Sequence, residues 1–279
     1  MSAAPIRKGV VTGGARIYCE YRGRGPLLLL ITGAMGDAGF YTSTADNLAN
    51  GFTIVSYDRR CNSRSTGDRT TDMTVAQQSR DAAAIIKAMG YDKAFVFGSS
   101  GGGIISLELA ATRPEVIDFL IVHEVPVTEI LPAPLAEKWR SFHDGIYAKS
   151  QREGWQAAIA DFMAALVGMS DNPFPPDLNE RISGNIDFFF KHEYKPFVRY
   201  HPDVERIRNN NVSILAAVGR DSDDAYYVQS TRMLANKLGC EIHEYPGHHG
   251  ASLYMPEEFS KAIRKTLEGH RRNATTRQK

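Results

Sequence analysis

Short apolar or alternating runs recur along the chain between longer stretches with helical spacing, and that alternation predicts βαβ units around a mostly parallel sheet, an α/β class. Residues 8–12 and 15–22 alternate about Gly13-Gly14, the pattern of an opening antiparallel hairpin. Leu27–Thr32, Phe52–Tyr57 and Ala94–Phe97 are apolar runs of strand length, as strands buried on both faces are, with helices expected near 38–49 and 73–89. A helix through Ile104–Ala111 must stop near Pro114, because proline disfavours helix in the residue before it, and Ile117–Val122 reads as the next strand. From Pro126 to about Asn210 the pattern turns to helical segments without strands, rich in aromatics. The βαβ rhythm then resumes with Ser213–Val218, a helix near Tyr227–Leu238, a strand at Glu241–Tyr245 and a last helix from Pro256 to about Glu268. The expected organisation is a core from residues 1–125 and 211–269, a helical cap at 126–210, and a flexible polar tail at 270–279.

Composition narrows the function. Lysine and arginine number 33 against 32 aspartates and glutamates, a net charge of +1, which lacks the electrostatic footprint of a nucleic-acid or membrane-surface binder. With 43% hydrophobic residues over 279 positions, the chain can bury a core and is not of disordered composition. Cys19, Cys61 and Cys240 are scattered and odd in number, which suggests neither a disulfide framework nor a cysteine zinc site. The longest purely apolar run, Leu27–Ile31, is too short for a bilayer, and the N-terminus lacks the apolar stretch of a signal peptide, so a cytoplasmic location is expected.

The sharpest chemical signal is Gly98-Ser99-Ser100-Gly101-Gly102, a G-x-S-x-G pattern between a strand and a helix. Glycines there leave room for a strained turn that lifts the hydroxyl out at the helix N-terminus, and the spacing selects Ser100. The competing reading is a plain tight turn or a phosphate-binding glycine loop, but the G-x-G-x-x-G spacing is missing. A serine hydroxyl is a poor nucleophile at neutral pH, so a base, most often histidine, is needed within hydrogen-bonding reach.

With these residues the chain resembles the α/β-hydrolase superfamily with a cap between two halves of the sheet, from about residue 8 to 269. The elbow carries the resemblance, together with the loop Thr32-Gly33-Ala34-Met35-Gly36, the segment Tyr57 to Ser65, and Pro246-Gly247-His248-His249. Cys61 and Ser63 stand where relatives usually carry glycine, which predicts local backbone strain. The resemblance implies a base in the loop after the last strand; its Pro-Gly-x-His pattern selects His249, with His248 as a solvated neighbour, a substrate contact or the swapped alternative. Two locations are open for the acid that orients the histidine. One is Gly219–Asp224, where Asp221 and Asp223 are candidates although the usual position, three residues after the glycine, is Ser222; the other is Glu124. The His123-Glu124-Val125-Pro126 pattern and the 24 residues from Ser100 to Glu124 resemble the zearalenone lactonases, fungal enzymes in which that glutamate is the triad acid. Glu124 is therefore preferred, its alternative being a salt bridge to a basic residue of the cap.

The resemblance further implies an oxyanion hole from the N–H groups of Gly101 and Ala34, with Gly33 as the other candidate donor. The aromatic cap is expected to enclose an apolar cavity, with Gly33, Met35, Trp139, Trp155, Phe188, Phe189 and Tyr194 as candidate substrate contacts, although aromatics at helical spacing also read as cap core. The expected activity is hydrolysis of an ester or lactone in an apolar small molecule through an acyl-enzyme, with no cofactor and no metal, a zearalenone-type macrolactone being one candidate. Cleavage of a β-diketone C–C bond or a thioester, and a receptor built on the same pocket, are the alternatives. A homodimer is left open, and no nucleic-acid or membrane partner is expected.

Overall fold

The N-terminal alternation forms a hairpin of β1 (Ile6–Thr12) and β2 (Ala15–Arg22). It is followed by β3 (Leu27–Ile31), β4 (Thr53–Tyr57), β5 (Ala94–Ser99), β6 (Ile117–His123), β7 (Ile214–Gly219) and β8 (Glu241–Tyr245) in the computed structural model, which describes residues 4–170 and 173–277. The eight strands make one sheet in the order β1-β2-β4-β3-β5-β6-β7-β8. β2 runs antiparallel to β1 and β4, and every later pairing is parallel. Every residue of β3, β4 and β5 is buried, which is why these strands read as continuous apolar runs.

The two-residue period of β3 divides the core. Leu27, Leu29 and Ile31 join the cluster containing α2 (Val75–Ala88), α3 (Gly101–Thr112) and α9 (Tyr226–Leu238). Leu28 and Leu30 face the opposite cluster, with α1 (Thr42–Leu48) and α11 (Pro256–Arg277), and α10 (Ala251–Tyr254) leads into α11. Between β6 and β7 the described residues form helices and loops without a strand: a 3-10 turn at Thr128–Ile130, α4 (Ala133–Glu153), α5 (Trp155–Ala164), α6 (Pro176–Phe188), a π-helical turn at Phe189–Glu193, α7 (Tyr194–Val198) and α8 (Val204–Asn209).

One boundary is corrected. The sequence predicts an aperiodic tail from residue 270, whereas α11 continues to Arg277. The reason lies in His270, whose ring stacks on Phe119 with centroids 4.2 Å apart and meets Phe95 edge-on. These contacts tie α11 to the sheet at His270, and no local apolar period announces them.

Two buried imidazoles make stability depend on pH. The His123 ring lies between Phe97 and Tyr245 with Nδ1 2.9 Å from the Ser99 hydroxyl, and His143 Nδ1 lies 2.9 Å from the Tyr194 hydroxyl. Burial lowers both from the ordinary 6.5 to about 4. Below 6.5 the unfolded chain therefore takes up protons that the folded chain refuses, so stability is full at pH 7 and falls as pH drops toward 4. Urea unfolding is expected to lose up to about 1.4 kcal/mol per pH unit for each ring across that window. His123→Phe, which keeps the stack, should make the slope shallower; an unchanged slope would remove His123 from this account.

Candidate active site

β5 hands over to α3 through Ser100, whose φ of 56° and ψ of −128° place a serine in a region that side chains rarely enter. Such a conformation costs about 1–3 kcal/mol. The flanking glycines allow it: a Cβ on Gly98 would lie 2.1 Å from Ser106 Oγ, and one on Gly102 would lie 2.0 Å from Ile31 O. The Ser100 N–H donates to His123 O at 2.9 Å, which fastens the turn to the end of β6.

The same strand end carries the acid. Glu124, with φ 47° and no exposed surface, directly follows β6. Its Oε1 accepts from the Gly219 N–H at 2.8 Å, and its Oε2 accepts from His249 Nδ1 at 2.7 Å. Burial by itself would raise the carboxyl, but the neighbouring His123 and His249 rings and hydrogen bonds outweigh it and hold the group at about 2. Since His123 is itself held neutral near pH 7, His249 and the hydrogen bonds are what keep Glu124 ionised there.

The other acid candidates stand elsewhere. Asp221 and Asp223 are exposed, and Asp221 pairs with Arg220 at 3.5 Å. Ser222 points inward instead: a Cβ on Gly219 would lie 2.8 Å from Ser222 Oγ and 2.9 Å from Glu124 Oε1. The small Ser222 thus shares a space that the glutamate fills from the neighbouring strand.

His249 packs against the Tyr227 ring at 4.3 Å between centroids, and its side chain is 6% exposed. His248 turns instead toward the cap, where its ring lies 2.3–2.4 Å from the position of a Cβ on Gly168. The Gly168 φ of 74° fits glycine, and the Val167 N–H donates to the Tyr227 hydroxyl at 2.9 Å, so this part of the cap is pinned beside His249.

The loop after β3 closes the other side. A Cβ on Gly33 would sit 2.9 Å from both Gly101 N and Ser100 Cβ, so the Gly33 backbone lies directly against the nucleophile elbow. Met35 and Gly36 follow at φ 60° and 35°. Among the described residues neither the Ala34 nor the Gly101 N–H has a hydrogen-bond acceptor, which leaves both available to an anionic oxygen. The strain expected beyond β4 is present, with Cys61 at φ 65° and Ser63 at φ 46°. Asn185 from α6 compensates, accepting from the Ser63 N–H at 2.7 Å and donating to Ser63 Oγ and Met35 O, each at 2.8 Å.

Ser100, His249, Gly33, Ala34 and Met35 line one cavity of about 70 Å³. Its wall also includes Phe40 and Leu253, with Phe162, Met163, Leu166 and Met169 from the cap. Trp139, Trp155, Phe188, Phe189 and Tyr194 do not line this cavity. Trp139 meets Phe142 edge-on and packs tilted against Tyr226, Trp155 packs on the main cluster, Phe188 lies beside His192 and under Arg69, and Phe189 and Tyr194 pack on each other and on Phe162. Of these, Phe189 and Tyr194 back the wall residue Phe162.

Comparison with known proteins bears on the family and the fold. A family model described as alpha/beta hydrolase fold matches residues 26–194. An uncharacterized hydrolase, YraK of Bacillus subtilis, is 29% identical over 265 residues, covering 93% of this chain and 95% of that one. Among solved structures, a thermophilic esterase from Thermogutta terrifontis superposes with a TM-score of 0.76 at 17% identity, over 95% of this chain and 99% of the other. Est816, described as an N-acyl homoserine lactone degrading enzyme, superposes with a TM-score of 0.73 at 18% identity, over 92% and 99%. At these identities the structural matches speak for the fold.

Proposed function

This chain belongs to the α/β-hydrolase family, and from that premise we propose that it hydrolyses carboxylic esters or lactones with Ser100 as nucleophile, His249 as base and Glu124 as the acid that orients it. The observation that carries this reading is the 2.7 Å hydrogen bond from His249 Nδ1 to the buried Glu124, beside a cavity that Ser100 also lines. With Nδ1–H engaged by the carboxylate, Nε2 is left to accept the Ser100 proton as Oγ attacks the substrate carbonyl. The oxygen becomes negative and takes hydrogen bonds from Gly101 and Ala34 N–H, each worth roughly 3 kcal/mol in such sites. Collapse passes the proton from His249 to the departing alkoxide, leaving an acyl-enzyme. Water, deprotonated by the same histidine, then releases the acid; a lactone gives a single hydroxy acid.

The His-Glu-x-Pro segment supports likening the acid position to that of the zearalenone lactonases. The cavity of about 70 Å³ beside Ser100 has room for a short acyl group with the rest of a substrate lying outside it, which favours short-acyl esters as the first substrates to test. Product mass spectrometry with aryl acetate, aryl butyrate, an N-acyl homoserine lactone and zearalenone tests this. The expected result is a gain of one water on the short-acyl substrates, with wild type and not with Ser100→Ala. No gain of water on any ester or lactone of the panel, or turnover that survives Ser100→Ala, would overturn it.

A further inference from the structure

The carbonyl of Gly33 belongs to the peptide whose N–H is that of Ala34, and it is held from behind. Arg59 Nε donates to Gly33 O at 3.0 Å. The described chain has no cis peptide, so the Ala34 N–H points opposite to that carbonyl, away from the guanidinium. Arg59 Nη1 and Nη2 donate to Glu193 Oε1 and Oε2 at 2.6 and 2.8 Å, and both side chains are fully buried. Asn62 Nδ2 donates to the same carboxylate at 3.1 Å, and Phe197 covers the guanidinium with its centroid 5.2 Å from Cζ. The loop is wrapped on the arginine: the Arg59 N–H donates to Gly36 O at 2.7 Å, and a Cβ on Gly36 would lie 2.9 Å from Arg59 Cβ and Nε.

We propose that Arg59 is a positioning residue for the oxyanion hole, holding the Gly33–Ala34 peptide by its carbonyl while Glu193 of the cap holds the guanidinium, so that seating the cap and assembling the hole are one event. This rests on the hydrolytic reading above. A charged donor on Gly33 O fixes the peptide plane and polarises the amide, which makes the Ala34 N–H a stronger donor to a developing oxyanion. Stability alone gives a weak reason for the pair, since buried ion pairs replaced by apolar side chains of similar volume are often as stable or more so. The third bond, to Gly33 O, is what an apolar pair cannot supply. Glu193 also closes the π-helical turn, an irregularity frequent at functional positions.

The test is the double variant Arg59→Met/Glu193→Leu, which removes both charges together. It should unfold near the wild-type temperature while kcat on an aryl acetate falls about tenfold to hundredfold and KM stays within about twofold, the signature of an interaction made in the transition state. Affinity for a trifluoromethyl ketone, which forms a tetrahedral adduct, should fall in parallel. Arg59→Lys, which keeps the charge opposite Glu193 but lacks the Nε donor, should show the same split and serves if the double variant does not fold. A wild-type kcat in a folded variant, or a loss confined to KM, overturns the proposal. Labelling of wild-type Ser100 by a fluorophosphonate separates the two failures: labelled Ser100 with unchanged variant kinetics refutes only the role of Arg59, whereas unlabelled Ser100 refutes the hydrolytic reading and this one with it.

Discussion

Ser100→Ala lowers kcat by about 10⁶-fold on any substrate the wild type hydrolyses, the loss expected when a nucleophile is removed from a triad that acts as a unit. The fold should survive, because the elbow is held by the glycines around Ser100 and by the Ser100 N–H bond to His123 O. Ser100→Gly should be equally inactive yet more stable, by up to about 1 kcal/mol, since glycine adopts φ 56° without the penalty a side chain incurs. Stability rising as activity vanishes would mark the strain as serving the site. A Ser100→Gly protein less stable than Ser100→Ala would contradict that account.

Glu124→Gln is expected to lower kcat by about 10⁴-fold. The cause is directional. The Gly219 N–H donates to Oε1, so the amide oxygen of a glutamine takes that place and its NH₂ faces His249 Nδ1. The ring is then held in the tautomer whose Nε2 carries the proton and cannot accept one from Ser100. Asp221→Ala and Asp223→Ala should stay within about twofold of wild type, because both side chains face solvent. Steady-state kinetics of the three variants decide the matter, and a comparable loss in either aspartate variant would move the acid to the β7 loop.

Much of this arrangement can be read from short stretches of chain. The elbow announces itself because a strand, a strained turn and a helix N-terminus must follow one another within a few residues, and glycine spacing records that need. The strands of the sheet centre stand out because burial on both faces leaves nothing to alternate. The preference for Glu124 over Asp221 and Asp223 rests on the resemblance of the His123-Glu124-Val125-Pro126 pattern to a known family and on Ser222 standing where an aspartate is usual.

The cavity wall was not legible. Aromatic density pointed to Trp139, Trp155, Phe188, Phe189 and Tyr194, but large rings reach neighbouring helices and fill the cap interior, while Met163, Leu166 and Met169 meet the cavity. Helical periodicity marks a buried face without saying what that face covers. The Arg59–Glu193 pair joins positions 134 residues apart, and no local pattern distinguishes Arg59 from Arg60, which pairs with Asp81 at 2.6 Å instead. The reach of α11 past residue 269 was not legible either, since the ring contact between His270 and Phe119 is not encoded in periodicity.

The central claim is that Ser100 is the activated nucleophile. Its most direct test is intact-mass and peptide-mass spectrometry of the wild-type protein after exposure to a fluorophosphonate near pH 7. The account predicts one adduct per chain, located on the peptide containing Ser100 and absent from Ser100→Ala and from His249→Ala treated for the same time. An adduct on another residue, no adduct, or an undiminished rate in His249→Ala would contradict it.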